Sequence, residues 1–254
     1  MLLACDIGNT RIKAGFIEAD NLVKSGSFEG FDEFEHFIIY EKIDSVAFSS
    51  VSPEKSKELL EFITSKFKLN PFQVTHNSKF NLKIDYTTPE TLGIDRICSA
   101  EGAYYLFNNS GNSKDYNKST FIISIDLGTA TTINFVDYPG AFIGGMILPG
   151  MDMMFNSLNK NTAQLPVATP GEYKGLIGDT TNSSIASGVI NSITGLFEKT
   201  ISDLKKNLGI QNIHIYLTGG NAEKIIPYLN FENEYVKDLV LIGVKAVYEK
   251  NFKY

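Results

Sequence analysis

The feature that most constrains this chain is a repetition. Residues 1–28 read MLLACDIGNTRIKAGFIEADNLVKSGSF, and residues 121–147 read FIISIDLGTATTINFVDYPGAFIGGMI. Each stretch has a short apolar run, an Asp, a Gly two places later among hydroxyl or amide residues, then a second apolar run, a turn and a third. Apolar runs of this length bounded by turn residues predict strands, so each copy predicts a tight hairpin with an aspartate where its first strand ends. A domain built twice on this plan is an α/β protein of two similar lobes.

The segments between the copies fit that plan. FEGFDEFEHFIIY sets Phe28, Phe31, Phe34 and Phe37 three apart, the spacing of an amphipathic helix with its acidic residues outward. DSVAFSSV reads as a strand, and Ser52 followed by Pro53 predicts a helix start. The strand FQVTH after that helix implies parallel pairing across a crossover. NLKIDY predicts another strand, IDRICSAEGAYYLF a helix, and NNSGNSKDYNKS, almost wholly polar, a hinge between lobes. Further helices are predicted near 151–161, 183–207 and 236–250, with a strand at IHIYLTGG. The lobes are therefore expected at 1–115 and 116–254.

Bulk properties exclude several function classes. Among 254 residues, 23 are basic and 29 acidic, a net charge of −6, and Lys205–Lys206 is the only adjacent basic pair, so no positive field is available for nucleic acid or an anionic membrane. Two cysteines, Cys5 and Cys98, argue against a disulfide framework and fit a reducing compartment. Asp6 interrupts the opening apolar run and no later run has the length of a membrane span, so the expected location is cytoplasmic. His36, His76 and His214 match neither metal-ligand spacing nor a triad.

The repeated hairpin has a chemical use. Gly8 and Gly128 remove a Cβ from the turn, so main-chain N–H groups and the hydroxyls of Thr10, Thr129, Thr131 and Thr132 can approach a polyanion. Two facing hairpins would make jaws around a triphosphate, with Asp6 and Asp126 holding Mg²⁺ directly or through its waters. One D-x-G-x-T turn is ordinarily an Asx-type turn, and two with matching flanks shift the balance towards a nucleotide site. There is no G-x-x-x-x-G-K-[ST] and no G-x-G-x-x-G after a strand. Lys13 is the only lysine expected within reach of the first turn.

These hairpins resemble those of the superfamily of actin, sugar kinases and heat-shock chaperones, in which two ribonuclease-H-like lobes of mixed sheet and flanking helices close on ATP. The whole chain is more closely similar to the type III pantothenate kinases, through DIGNTRIK at 6–13, YTTPETLGIDR at 86–96, DLGTATT at 126–132, GGMILPGMDMMFNSLNKNTAQLP at 144–166 and TGGNA at 218–222. The G-x-D-R and GG-x-I-x-PG segments in this order are specific to that family.

The resemblance implies an ATP-dependent phosphorylation of pantothenate to 4′-phosphopantothenate, the first step towards coenzyme A, by a cytoplasmic homodimer with its active site near the subunit contact. It implies Asp95 as the base taking the proton from the 4′-hydroxyl. It implies ATP on Asp6, Ile7, Gly8, Asn9, Thr10, Arg11, Ile12, Lys13 and Thr129. Substrate would contact Tyr86, Gly93, Ile94, Asp95, Arg96 and Thr181, the last from the second subunit. At Asp126 it implies a monovalent cation, K⁺ or NH₄⁺, although from the residues alone Mg²⁺ fits as well.

Each residue also has a plainer reading. Asp95–Arg96 is otherwise an exposed pair on a helix, Tyr86 strand-end packing, and Thr181 or Thr180 a helix N-cap. Gly144, Gly145, Gly150, Gly219 and Gly220 would otherwise serve tight loops. Asn134 stands where the family usually has Asp, one negative charge fewer near the second hairpin. Rival functions are another small-molecule kinase of the superfamily and a non-catalytic, transcription-activating regulator.

Overall fold

The structure is a computed structural model that describes residues 1–110 and 119–252. Most of the hinge expected at 108–119 lies outside the described residues. The chain divides into two compact units, Met1–Asp115 with Pro139–Gly144 and Asp238–Tyr254, and Tyr116–Tyr138 with Gly145–Lys237.

In the first unit β1 (Leu2–Ile7), β2 (Ile12–Glu18) and β3 (Asn21–Phe28) form an antiparallel meander. Helix α1 (Phe31–Ile38) leads to β4 (Ser45–Ser50), which lies parallel to β1, and α2 (Pro53–Phe67) leads to β5 (Phe72–Gln73), parallel to β4. The sheet order is β3-β2-β1-β4-β5. Alternate residues of β1, Leu3, Cys5 and Ile7, are buried with Phe34, Ile38, Leu59 and Ile63 of the covering helices. Burying aliphatic and aromatic side chains of this size stabilises by about 1.5–3 kcal/mol each, which makes this layer the main source of the unit's cohesion.

Phe28 is a difference from expectation. It closes β3, and α1 begins only after Gly30, whose extended backbone (φ −119°, ψ 162°) interrupts the helical spacing. Phe28 still reaches the helix across that break, with its ring 4.9 Å from Phe37. At α2 the expected start is present: Pro53 is the first helical residue and Ser52 Oγ accepts from the Lys55 N–H at 3.5 Å. Short β6 (Lys83–Ile84) pairs in parallel with Ala141 and Phe142, and α3 (Ile94–Asn109) follows. Buried Glu101 on α3 accepts from Leu82 N and Asn81 Nδ2, both at 2.9 Å, and so ties the approach to β6 onto the helix.

The second unit repeats the plan. Strands β7 (Thr120–Leu127), β8 (Ala130–Asp137) and β9 (Ala141–Pro149, its first residues in the other unit) are followed by α4 (Met151–Lys160), α5 (Thr181–Asn207), β10 (Asn212–Thr218), the short α6 (Ala222–Ile225) and β11 (Glu234–Tyr235). Its strands run β11-β10-β7-β8-β9, the same order as β5-β4-β1-β2-β3, with β10 parallel to β7 and β11 parallel to β10. Ile123, Ile125 and Leu127 of β7 pack with Ile185, Ile190, Ile193 and Phe197 of α5.

The closing helix α7 (Leu239–Phe252) corrects the expected partition, because it belongs to the first unit. A Cβ on Gly102 of α3 would stand 2.3 Å from Leu239 O, and one on Gly243 of α7 would stand 1.7 Å from Cys98 O, so the two backbones touch where both residues are glycine. No helix among the described residues is long and apolar enough to cross a membrane.

Candidate active site

In the first unit the strand register brings the first group of residues together. Asp6 stands opposite Lys13 on one side and Ser49 on the other, and the buried Ser49 hydroxyl donates to Asp6 Oδ1 at 2.8 Å. The turn beyond closes with Gly8 N–H donating to Arg11 O at 2.9 Å, and leaves Asn9, Thr10 and Arg11 exposed. Gly8 is needed for space rather than for an unusual backbone angle, since a Cβ there would come 3.2 Å from Arg11 O. Arg11 pairs with Glu29 at 2.7 Å. Lys13 is not the only lysine at this turn, for Lys55 Nζ donates to Asn9 O at 2.8 Å and to Gly8 O at 3.3 Å. Nothing local signals this contact, because Lys55 is 46 residues from Asn9 on the solvent-polar start of a helix.

Asp95 lies in the first turn of α3, where exposed N–H groups and the helix dipole favour a carboxylate. Its Oδ1 accepts from Arg96 N at 2.9 Å. Gly93 precedes it because a Cβ there would lie 2.4 Å from that same oxygen. Arg96 is buried, which removes the plain reading of an exposed Asp–Arg pair. Its guanidinium carbon stands 5.8 Å from the centre of the Phe142 ring, and Tyr86 meets Phe142 edge-on at 6.1 Å. Tyr86 and Arg96 thus meet on Phe142, a residue with no distinguishing feature in the sequence beyond being apolar in a strand.

Both thiols stay protonated. Burial, and then the adjacent Asp6 charge, push Cys5 up; burial first, and then the charges of Asp6, Glu101 and Asp95, push Cys98 up. That pattern puts Asp6 and Asp95 within electrostatic reach of one side chain of α3.

In the second unit three loops converge on the end of β7. Gly219 has φ +97°, and a Cβ on it would lie 2.5 Å from both Asp126 Oδ1 and the Leu127 carbonyl carbon. A Cβ on Gly128 would lie 3.2 Å from that same carboxylate oxygen. Gly150, which begins α4, donates through its N–H to Thr129 O at 3.1 Å, and Asn221 N–H donates to Leu127 O at 3.0 Å. Both neighbours lack side chains, so their backbones pack directly against the Asp126 carboxylate. Gly219→Ala is expected to destabilise by about 2 kcal/mol, from its backbone angle and the overlap together, measured as a lower midpoint in chemical denaturation.

The threonines separate. Thr129 is exposed at the turn and Thr132 half-exposed, but Thr131 is fully buried and cannot meet a phosphate arriving from solvent. Asn134 is also buried and donates to Ser124 Oγ at 3.2 Å, so the missing charge is replaced by a neutral bond inside the sheet. At α5 the N-cap is Thr180, which accepts from Ser183 N–H at 3.2 Å and leaves Thr181 exposed in the first turn. Among the described residues no cluster of three His, Cys, Asp or Glu is arranged to hold a metal, so a cation here would draw on phosphate or backbone oxygens as well.

The family model for type III pantothenate kinases matches residues 2–203 of this chain. The chain belongs to the type III pantothenate kinase family. Type III pantothenate kinases of Flavobacterium johnsoniae and Cytophaga hutchinsonii are 34% identical over 225 residues (88% of this chain, 87% of the relative) and 32% identical over 251 residues (99% and 100%). Among solved structures, a protein described as a Baf family transcriptional activator from Campylobacter jejuni superposes with a TM-score of 0.59 at 19% identity, covering 98% of each chain. One described as a 2-dehydro-3-deoxygalactonokinase from Sinorhizobium meliloti gives 0.56 at 10% identity, covering 100% of this chain and 98% of that one. At such identities these likenesses speak to the fold alone, an α/β architecture shared with those proteins. As a type III pantothenate kinase family member, the chain places its G-x-D-R aspartate at a helix start and its two D-x-G turns at corresponding strand ends.

Proposed function

We propose that this chain transfers the γ-phosphoryl group of ATP to the 4′-hydroxyl of pantothenate, the first step towards coenzyme A. The observation that carries this is the family match over residues 2–203. Phosphoryl transfer to an alcohol requires rigid positioning, charge neutralisation and a carboxylate to accept the hydroxyl proton late in the reaction. Asp95 is the base. Arg96 and Tyr86, held by Phe142, and Gly93–Ile94 form the substrate-binding group. The hairpin of residues 6–13 and Thr129 bind the nucleotide phosphates, with Asp6 towards the divalent ion that neutralises them.

Asp126 is assigned the monovalent cation, K⁺ or NH₄⁺, on the strength of the family resemblance of the DLGTATT segment. The regulator alternative is weaker, since Asp6, Asp95, Arg96 and Asp126 are all present and the chain is acidic. A coupled assay of ATP consumption with pantothenate against a panel of sugars and short alcohols, with and without K⁺, tests both assignments. Turnover confined to pantothenate and raised by K⁺ is expected; turnover on a sugar alone, or on no alcohol, overturns the substrate assignment.

The working form is a homodimer in which Thr181 completes the partner's site. Supporting this, Leu176 and Ile177 are 75% and 85% exposed just before Thr181, and Ile147 and Val167 of the same unit are also exposed. Two adjacent large apolar side chains left open to water beside Thr181 are the kind of surface an interface covers. Mixing Asp95→Asn with Thr181→Ala protein under exchange should restore about a quarter of wild-type activity, because half the dimers are mixed and each carries one intact site. If Thr181 acts within its own chain, mixing restores nothing.

A further inference from the structure

Lys55 is an unexpected cation. It occupies the first turn of α2, where the helix dipole disfavours positive charge, and its long side chain costs entropy to fix. It is nonetheless fixed, half-buried, with Nζ on the carbonyls of Gly8 and Asn9 at 3.3 and 2.8 Å. No carboxylate pairs with it among the described residues, whereas Arg11, the other cation of the turn, is engaged by Glu29. An ammonium has three donors, and two are used here on main-chain oxygens.

We propose that Lys55 is a phosphate-positioning residue of the nucleotide hairpin. By holding the Gly8 and Asn9 carbonyls it fixes the orientation of the turn's peptide units, whose N–H groups face the opposite way. Its third N–H and its full charge serve an oxygen of the nucleotide polyphosphate. This rests on the assignment of residues 6–13 to ATP.

The test is calorimetric titration of the full-length protein with MgATP, MgADP and adenosine, comparing wild type with Lys55→Met and Lys55→Arg. Lys55→Met is expected to weaken MgATP binding about 10- to 100-fold, the worth of a charge-assisted hydrogen bond, with adenosine unchanged. Lys55→Arg should recover most of the loss, and the wild-type melting temperature should be kept by both. Equal MgATP affinity in wild type and Lys55→Met overturns the proposal. So does an equal loss for adenosine and MgATP, which marks a purely structural role. A separate control tests the underlying assignment: if wild type binds MgATP and a Thr10→Ala, Arg11→Ala double variant binds it equally well, the 6–13 hairpin is not the nucleotide site.

Discussion

Asp95→Asn is expected to lower turnover roughly 10²- to 10⁴-fold while leaving MgATP affinity within about twofold of wild type. The substitution is nearly isosteric, and the Asn Oδ1 can still accept from Arg96 N–H, as Asp95 does at 2.9 Å. The start of α3 and the packing of Arg96 on Phe142 are therefore preserved. What is lost is the carboxylate oxygen proposed to take the proton of the attacking hydroxyl. Steady-state kinetics with pantothenate and calorimetry with MgATP separate the two effects. A loss of nucleotide binding equal to the loss of turnover would place Asp95 on ATP instead, and unchanged turnover would remove it from the chemistry.

Gly243→Ala is expected to be the most damaging small substitution, at about 3 kcal/mol or more. The added methyl would stand 1.7 Å from Cys98 O and 2.6 Å from Cys98 C, atoms of a helix backbone that cannot rotate away. The helices α3 and α7 would have to separate, opening the contact that buries Cys98, Leu239 and Val244. Thermal unfolding should show a midpoint lower by roughly 6–12 °C, taking 2–4 °C per kcal/mol for a chain of this size. Turnover should fall as well, since α3 carries Asp95 in its first turn. Gly195→Ala, on α5 where an added Cβ would meet nothing within 4 Å, is the control expected to keep or slightly raise the wild-type midpoint, because alanine favours a helix interior. An unchanged midpoint in Gly243→Ala would show that the two helices are not held in this close approach.

How much of this was legible in advance depended on the range of the interaction involved. The repeated apolar–Asp–Gly pattern, the Ser52–Pro53 helix start and the apolar spacing of α2 and α5 are local. Strand alternation, capping and turn chemistry act within a few residues, so the α/β class and most helices can be read directly. The G-x-D-R and GG-x-I-x-PG segments likewise carried the family and the candidate base. Phe28 has helical spacing with Phe31 and Phe34 yet closes β3, because the extended backbone of Gly30 ends the helical pattern.

The remaining features were decided by residues far apart in the chain. That Ser49 bonds Asp6 depends on parallel register between β1 and β4. That Arg96 is buried on Phe142, and that Lys55 grips the turn at Gly8 and Asn9, depends on packing across 46 residues in both cases. The membership of α7 in the first unit depends on two glycines, Gly102 and Gly243, that look like helix weaknesses until the partner backbone is seen against them. Sequence alone thus determined what each segment becomes and which chemistry it carries, because those are set by neighbours along the chain. The tertiary structure decided which side chains meet, because side-chain contact follows from register and close packing, and neither is written in any one segment.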